Sequence, residues 1–178
     1  RKTAQQLRRF RKIVAAFKDN TFRYIHIANS DAVNNFPETC FNMVRTGINL
    51  YGVFDLQGRH AFKLYPTISL CTVLIEKRLI SGGSTVGYGC TYRLKKDTWV
   101  GTVSAGYADG LPLAASNKGF VLIRGHLLPI IGRISMDYTT IDMSSYPEAS
   151  IGDTVFLIGK SGEKEITVED IARLNKPH

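Results

Sequence analysis

The chain has 178 residues, 44% hydrophobic and 21% charged, the proportions of an ordinary globular protein. Its longest apolar run, Thr67 to Ile75, falls short of the ~18 residues of a membrane span and ends in Glu76, Lys77 and Arg78. A net charge of +8 raises nucleic acid as a partner. Cys40, Cys71 and Cys90 are odd in number and scattered, which favours free thiols over a disulfide scaffold or a metal centre. The opening Arg1-Lys2-Thr3 has neither a leader's apolar stretch nor an initiator methionine, so a cytoplasmic protein is expected, its sequence beginning inside a longer polypeptide.

Thr3 to Lys18 predicts an amphipathic helix. Leu7, Phe10, Ile13 or Val14, and Phe17 recur at helical spacing, and Thr3 with Gln6 makes a capping box. Arg8, Arg9, Arg11 and Lys12 lie around its polar face and carry much of the excess charge. A solvated helix face accounts for them better than a nucleic-acid site, because no stacking aromatics or nucleic-acid motif accompany them. A strand is expected at Phe22 to Ala28. Asn29-Ser30-Asp31 then starts a short helix through Val33 and Phe36, which Pro37 stops. Met43 to Arg45 reads as the next strand. Helix and strand alternate as in a parallel α/β sheet, yet two strands cannot close a barrel. Residues 1–60 are therefore expected to be the last part of a larger α/β unit, with Gly52 to Pro66, including Gln57-Gly58-Arg59, as the connection onward.

Residues 61–178 change to short β-rich runs separated by turn signals. Strands are expected at Thr67–Ile75, Thr85–Leu94, Trp99–Ala105, Phe120–Ile123, Pro129–Ile134, Tyr138–Met143 and Val155–Ile158, with a turn at Gly125-His126. An antiparallel sandwich or barrel follows. A last helix, Val168 to Leu174, has Thr167 and Asp170 in capping-box positions.

Several stretches can carry chemistry. In "MVRTGINLYG", Arg45 sits among Met43, Val44, Ile48 and Leu50, which read as buried. A buried guanidinium must be paired, with a carboxylate or with a ligand. In "YIHIANSD", Ser30 lies where a strand gives way to a helix, so its hydroxyl is placed for an anion; read alone it is only a helix cap. His26, read alone, is a core histidine. Gly47-Ile48 follow the second strand, where glycine lets backbone N–H groups approach a phosphate. In "VGYGCTYR", flanking glycines strip the cover from Tyr88, and without other clues this is a hairpin tyrosine. Tyr107, Arg133, Met136 and Asp137 lie beside turns in "SAGYADG" and "PIIGRISMDYTTID".

Together with "SNKGFVLIRG", these blocks in this order closely resemble the C-terminal part of the alanine racemase family. The resemblance implies the last strands of a TIM-type α/β barrel, followed by a C-terminal antiparallel β domain. It implies pyridoxal phosphate as cofactor, interconversion of L- and D-alanine for D-alanine and peptidoglycan synthesis, and a head-to-tail homodimer with shared active sites. By the same resemblance Arg45 bonds the cofactor's pyridine nitrogen and keeps it unprotonated, with His26 supporting the arginine. Ser30, Gly47 and Ile48 form the phosphate cradle. Tyr88 is the base for the L-enantiomer, and a lysine holding the cofactor serves the opposite face. The Met136 backbone contacts the substrate carboxylate. Tyr107 lies near the substrate's way in, and Arg133 and Asp137 lie along or behind that corridor. Tyr88 and Met136 serve the partner subunit's cofactor.

Two kinds of departure qualify the resemblance, missing segments and substituted positions. Nothing here matches the family's cofactor lysine, its upstream barrel strands, or the tyrosine-containing segment beyond "LNKPH". The chain reads as a fragment that would not racemise alone. Thr46 stands where proline is usual, Ser135 where cysteine is frequent, and Leu113 where arginine often occurs. A serine or other amino-acid racemase of the family, and a non-catalytic β binding module, stay open.

Overall fold

The computed structural model describes residues 2–17, 22–54 and 62–175. The chain forms two compact units, Arg1–Thr67 and Ile68–His178. Gln57, Gly58 and Arg59 lie outside the described residues.

In the first unit, helix α1 spans Lys2–Ala15 and buries Leu7. Phe10 packs edge-on against Phe41 with ring centres 5.3 Å apart. Thr3 lies inside the helix rather than at its cap. Arg8, Arg9 and Lys12 are exposed, as a solvated face requires, and Arg11 donates to the Glu38 carbonyl at 3.1 Å. Helix α2 is Ser30–Asn35, and its N-cap is Asn29, whose side chain accepts the Ala32 N–H at 3.0 Å. Pro37 ends it by opening a 3₁₀ turn, Pro37–Thr39.

The two strands expected here do not form as ladders. Residues 22–29 and 43–45 meet at one parallel bridge, Asn29 with Arg45, and through the Arg45 N–H to the Ala28 carbonyl at 2.9 Å. Farther along, a side chain does what a neighbouring strand would do. Asn42 accepts the Ile25 N–H through Oδ1 at 2.6 Å and donates Nδ2 to the Arg23 carbonyl at 3.1 Å. The burial expected around Arg45 is also absent. Met43 and Val44 are 37% and 38% exposed and Leu50 66%, with Ile48 and Arg45 exposed too. Apolar sequence marks what a fold tends to cover; among the described residues of this unit, no layer covers these.

The second unit is antiparallel throughout. Its strands are β1 (Leu70–Ile80), β2 (Thr85–Val86), β3 (Tyr92–Arg93), β4 (Thr98–Val103), β5 (Phe120–Ile123), β6 (His126–Pro129), β7 (Thr139–Asp142), β8 (Thr154–Ser161) and β9 (Lys164–Ile166). The main sheet runs β6-β5-β8-β1-β4-β7, with β9 added to β8. Its two edges meet through the Ile130–Ile141 bridge and the Ile131 N–H to the Thr140 carbonyl at 3.0 Å, so the path closes on itself. Closure removes the exposed edges that an open sheet would leave. Bulges between Leu70 and Cys71 and between Leu74 and Glu76 bend β1, so its first part pairs with β8 and its second with β4.

Alternating strand residues fill the interior: Leu74, Val103, Val121, Ile123, Leu128 and Leu157 are all essentially inaccessible. Gly101 is part of this packing, since a Cβ there would come within 2.5 Å of Met143 Sδ. Helix α3, Val168–Leu174, starts at Thr167, whose Oγ1 accepts the Asp170 N–H while Asp170 accepts the Thr167 N–H.

Two strand expectations are corrected by turn geometry. Thr85–Leu94 is not one strand but a hairpin, β2 and β3, folded over a 3₁₀ turn at Tyr88–Cys90. Gly87, Gly89 and Cys90 all take positive φ, and three such residues within four positions interrupt a strand. The strand expected at Pro129–Ile134 lies earlier, at His126–Pro129, sharing only Pro129 with the expectation, and the turn expected at Gly125-His126 falls one residue earlier. Arg124 and Gly125 (φ 45° and 82°) form a two-residue turn with positive φ at both positions, placing Ile123 opposite His126. The same turn carries an ion pair, Arg124 to Asp153 at 2.6 Å. The Asp153 carboxyl is held below the usual range by the Ser150 N–H and by Arg124, against the opposing effect of burial.

Candidate active site

The first unit gathers Ser30, Arg45, Gly47 and Ile48 around one groove of about 360 Å³, together with Asn29, Asp31 and Asn49. Ser30 is the first residue of α2 rather than its cap; Asn29 has taken that task. The buried Ser30 hydroxyl instead accepts the Gly47 N–H at 2.8 Å, and Asn49 Nδ2 reaches the Ser30 carbonyl at 3.4 Å. The chain end after Arg45 is thereby tied to the start of α2. Ile48 opens a 3₁₀ turn, Ile48–Tyr51, so its N–H has no acceptor within that turn. At Gly47 a Cβ would meet nothing within 4 Å, which leaves the groove open beside it.

No ion pair joins Arg45 to a carboxylate among the described residues. One guanidinium nitrogen donates to the Ile27 carbonyl at 3.4 Å, a weak hold. His26 Nδ1 is buried without a hydrogen-bond partner, and among the described residues no bond links it to Arg45. A guanidinium, a hydroxyl and a turn-opening N–H beside open space form a donor set suited to an anionic, acceptor-bearing ligand. Pyridoxal phosphate, with its phosphate and its ring nitrogen, fits that set.

In the second unit, loops from three parts of the sheet lock together. Gly87 lies against Gly132 and Arg133: a Cβ at Gly87 would come within 2.5 Å of the Arg133 nitrogen. Tyr107 and Ala108 donate their N–H groups to the carbonyls of Ser135 and Met136, each at 3.0 Å. Ser135 Oγ clasps Tyr138, donating to its carbonyl and accepting its N–H, both at 2.9 Å, so Met136 and Asp137 form the tip of a fixed turn. Tyr88 and Arg133 line one groove of about 300 Å³, with Gly87, Ser135, Tyr138 and Thr140. Tyr88 is 71% exposed; Tyr138, half-exposed, shares its groove, and Tyr107 and Met136 are also half-exposed.

The structure thus brings Tyr88 to Arg133, and Tyr107 to Met136. Sequence reasoning passed over Tyr138, which shares the Tyr88 groove, and Ser116-Asn117, which hold the Arg133 segment. The signal for Asn117 was present: asparagine ahead of Lys-Gly between two strands commonly takes the left-handed conformation, and here it does, at φ 58°.

An α/β segment with an anion-suited groove, followed by a closed antiparallel β unit bearing an exposed tyrosine, defines a two-part fold class: the last strands of a TIM-type barrel and a C-terminal β domain. Residues 67–176 match the family model for the alanine racemase C-terminal domain, and residues 1–55 that for the alanine racemase N-terminal domain. The chain belongs to the alanine racemase family. It is 37% identical over 172 residues to an alanine racemase of Thermodesulfovibrio yellowstonii, covering 96% of this chain and 46% of that protein. Among solved structures it is similar to alanine racemase from E. faecalis, with TM-score 0.82 and 32% identity over 97% of this chain and 46% of that one. Alanine racemase from Bartonella henselae, solved with covalently bound pyridoxal phosphate, gives TM-score 0.75 and 33% identity over 97% and 46%. The chain spans about half the length of the relatives it matches.

Proposed function

We propose that the chain supplies part of a pyridoxal-phosphate-dependent alanine racemase that interconverts L- and D-alanine for cell-wall D-alanine in the cytoplasm. One observation carries the reading: Arg45, without a carboxylate partner among the described residues, lines the same groove as the Ser30 hydroxyl, Gly47 and Ile48.

In this reading Ser30 Oγ–H and the Ile48 N–H bind the phosphate, and Gly47 leaves room for it. Arg45 presents fixed positive charge to the ring nitrogen and keeps a proton off it. When bound, pyridoxal phosphate draws electrons from the amino acid's Cα and makes its hydrogen acidic. Tyr88 Oη takes that proton from the L-enantiomer or returns it, and its exposed position leaves it within a substrate's reach. Met136 orients the substrate carboxylate through its backbone, and Tyr107, Arg133 and Asp137 shape the approach. The opposite face needs the family's lysine, which nothing in this sequence matches, so the chain alone is expected to be inactive. A head-to-tail dimer would set Ser30 and Arg45 of one protomer against Tyr88 and Met136 of the other.

The test uses the full-length protein that contains this chain, loaded with pyridoxal phosphate. The optical rotation of L-alanine should decay to zero. Decay with L-serine but not L-alanine would make it a serine racemase. Persistent rotation with every amino acid would leave the β unit as a binding module.

A further inference from the structure

Ser116 and Asn117 lie in the turn before β5 and have no part in the proposed function. Asn117 Oδ1 accepts the Gly132 N–H at 2.6 Å, and Ser116 Oγ accepts the Ile134 N–H at 3.1 Å. The two amides flank Arg133, so that residue sits between fixed points. Neighbouring amides are also held, Ile131 by the Thr140 carbonyl and Ser135 by the Tyr138 carbonyl. The other end of the Asn117 amide, Nδ2, donates to Thr91 Oγ1 at 3.4 Å. Thr91 closes the 3₁₀ turn that carries Tyr88. One side chain therefore touches both loops that line the groove.

Both backbone features are specific to the arrangement. Asn117 holds φ 58°, a conformation asparagine accepts more readily than most residues. Gly132 holds φ 76° with its Cα packed against Val86 and Gly87.

We infer that Asn117, assisted by Ser116, is a positioning residue that sets the Arg133 guanidinium beside Tyr88, where it attracts and orients the carboxylate of an amino-acid substrate. The inference rests on the racemase reading for its substrate. Its physical content, a bracket joining the Thr91 and Gly132 loops, does not.

In the full-length enzyme, Asn117→Gly keeps the left-handed backbone and removes both side-chain bonds. KM for L-alanine should rise about three- to tenfold, the worth of one or two hydrogen bonds. In an Arg133→Ala background the same substitution should change KM by less than about twofold, because the pathway of its effect is gone. Asn117→Asp keeps the acceptor for Gly132 and can accept the Thr91 hydroxyl in place of donating to it, so it should stay within about twofold of the parent. An equal rise in both backgrounds, or no rise in either, overturns the inference. If the parent enzyme does not racemise alanine, the racemase reading fails and the bracket is read directly by amide exchange. The segment Ile131 to Ser135 should then exchange about tenfold faster in Asn117→Gly; unchanged exchange overturns it.

Discussion

Gly106→Ala isolates the lock between the Tyr107 and Met136 loops. Gly106 has φ −139° and ψ −160°, extended backbone open to any residue, so alanine carries no conformational penalty there. Its cost is purely steric. An added Cβ would land on the carbonyl groups of Met136 and Ser135, which are backbone and cannot swing aside. The loops must part, straining or breaking the Tyr107 N–H to Ser135 and Ala108 N–H to Met136 bonds, each 3.0 Å. Two hydrogen bonds at about 1 kcal/mol each, plus about 1 kcal/mol for overpacking, give a loss of about 3 kcal/mol. For a unit of this size that lowers the unfolding midpoint by about 12 °C. Gly110→Ala is the matched control: its φ is 98°, but a Cβ would meet nothing within 4 Å, so only backbone strain of about 1 kcal/mol applies. Thermal unfolding of the two variants by circular dichroism decides the matter. A Gly106→Ala midpoint within about 2 °C of the parent, or above that of Gly110→Ala, refutes the steric reasoning.

Ser30→Ala removes the acceptor of the Gly47 N–H and a donor to the groove; affinity for pyridoxal phosphate should fall about tenfold in an absorbance titration. Thr167→Ala breaks the capping box of α3 and should cost about 1 kcal/mol in urea unfolding. The Asp170 carboxyl is held below its usual range by the Thr167 N–H, against burial, and further by the Thr167 hydroxyl and Arg173. Its contribution is therefore complete above about pH 4, the unfolded value, and fades as pH falls through the lower folded value. The gap in unfolding midpoint between the parent and Asp170→Asn should be constant from pH 7 to 5 and shrink towards pH 2; a gap that widens on acidification contradicts this.

Where structure depends on neighbours in sequence, the sequence was readable. Phe120–Ile123 has the strand expected of it because Gly119 and the Arg124-Gly125 turn bound four consecutive strand formers. Helix α3 begins where Thr167 and Asp170 cap each other, a contact three residues apart. Where structure depends on distant partners, it was not. Residues 22–28 have strand-like composition, yet Asn42 takes up their backbone groups, and nothing local foretells that. The glycines around Tyr88 leave its ring uncovered, as their lack of side chains implies, but their positive φ also breaks the run into a hairpin. Ser30 shows how a single site is half legible. Its place at the start of a helix was clear; that Asn29 frees it to accept the Gly47 N–H depends on a partner 17 residues away. Asn117 joins residues 26 and 15 positions away, beyond any local pattern.

The most direct test of the central claim follows the α-hydrogen of L-alanine in deuterated water by NMR, using the full-length enzyme and its Tyr88→Phe variant. Tyr88 is so exposed that losing its hydroxyl should leave stability within about 0.5 kcal/mol of the parent. Exchange at Cα of L-alanine should nevertheless slow by about a hundredfold or more, with the cofactor spectrum unchanged. Exchange at the parental rate would mean that another group moves that proton, and the role given to Tyr88 would be wrong.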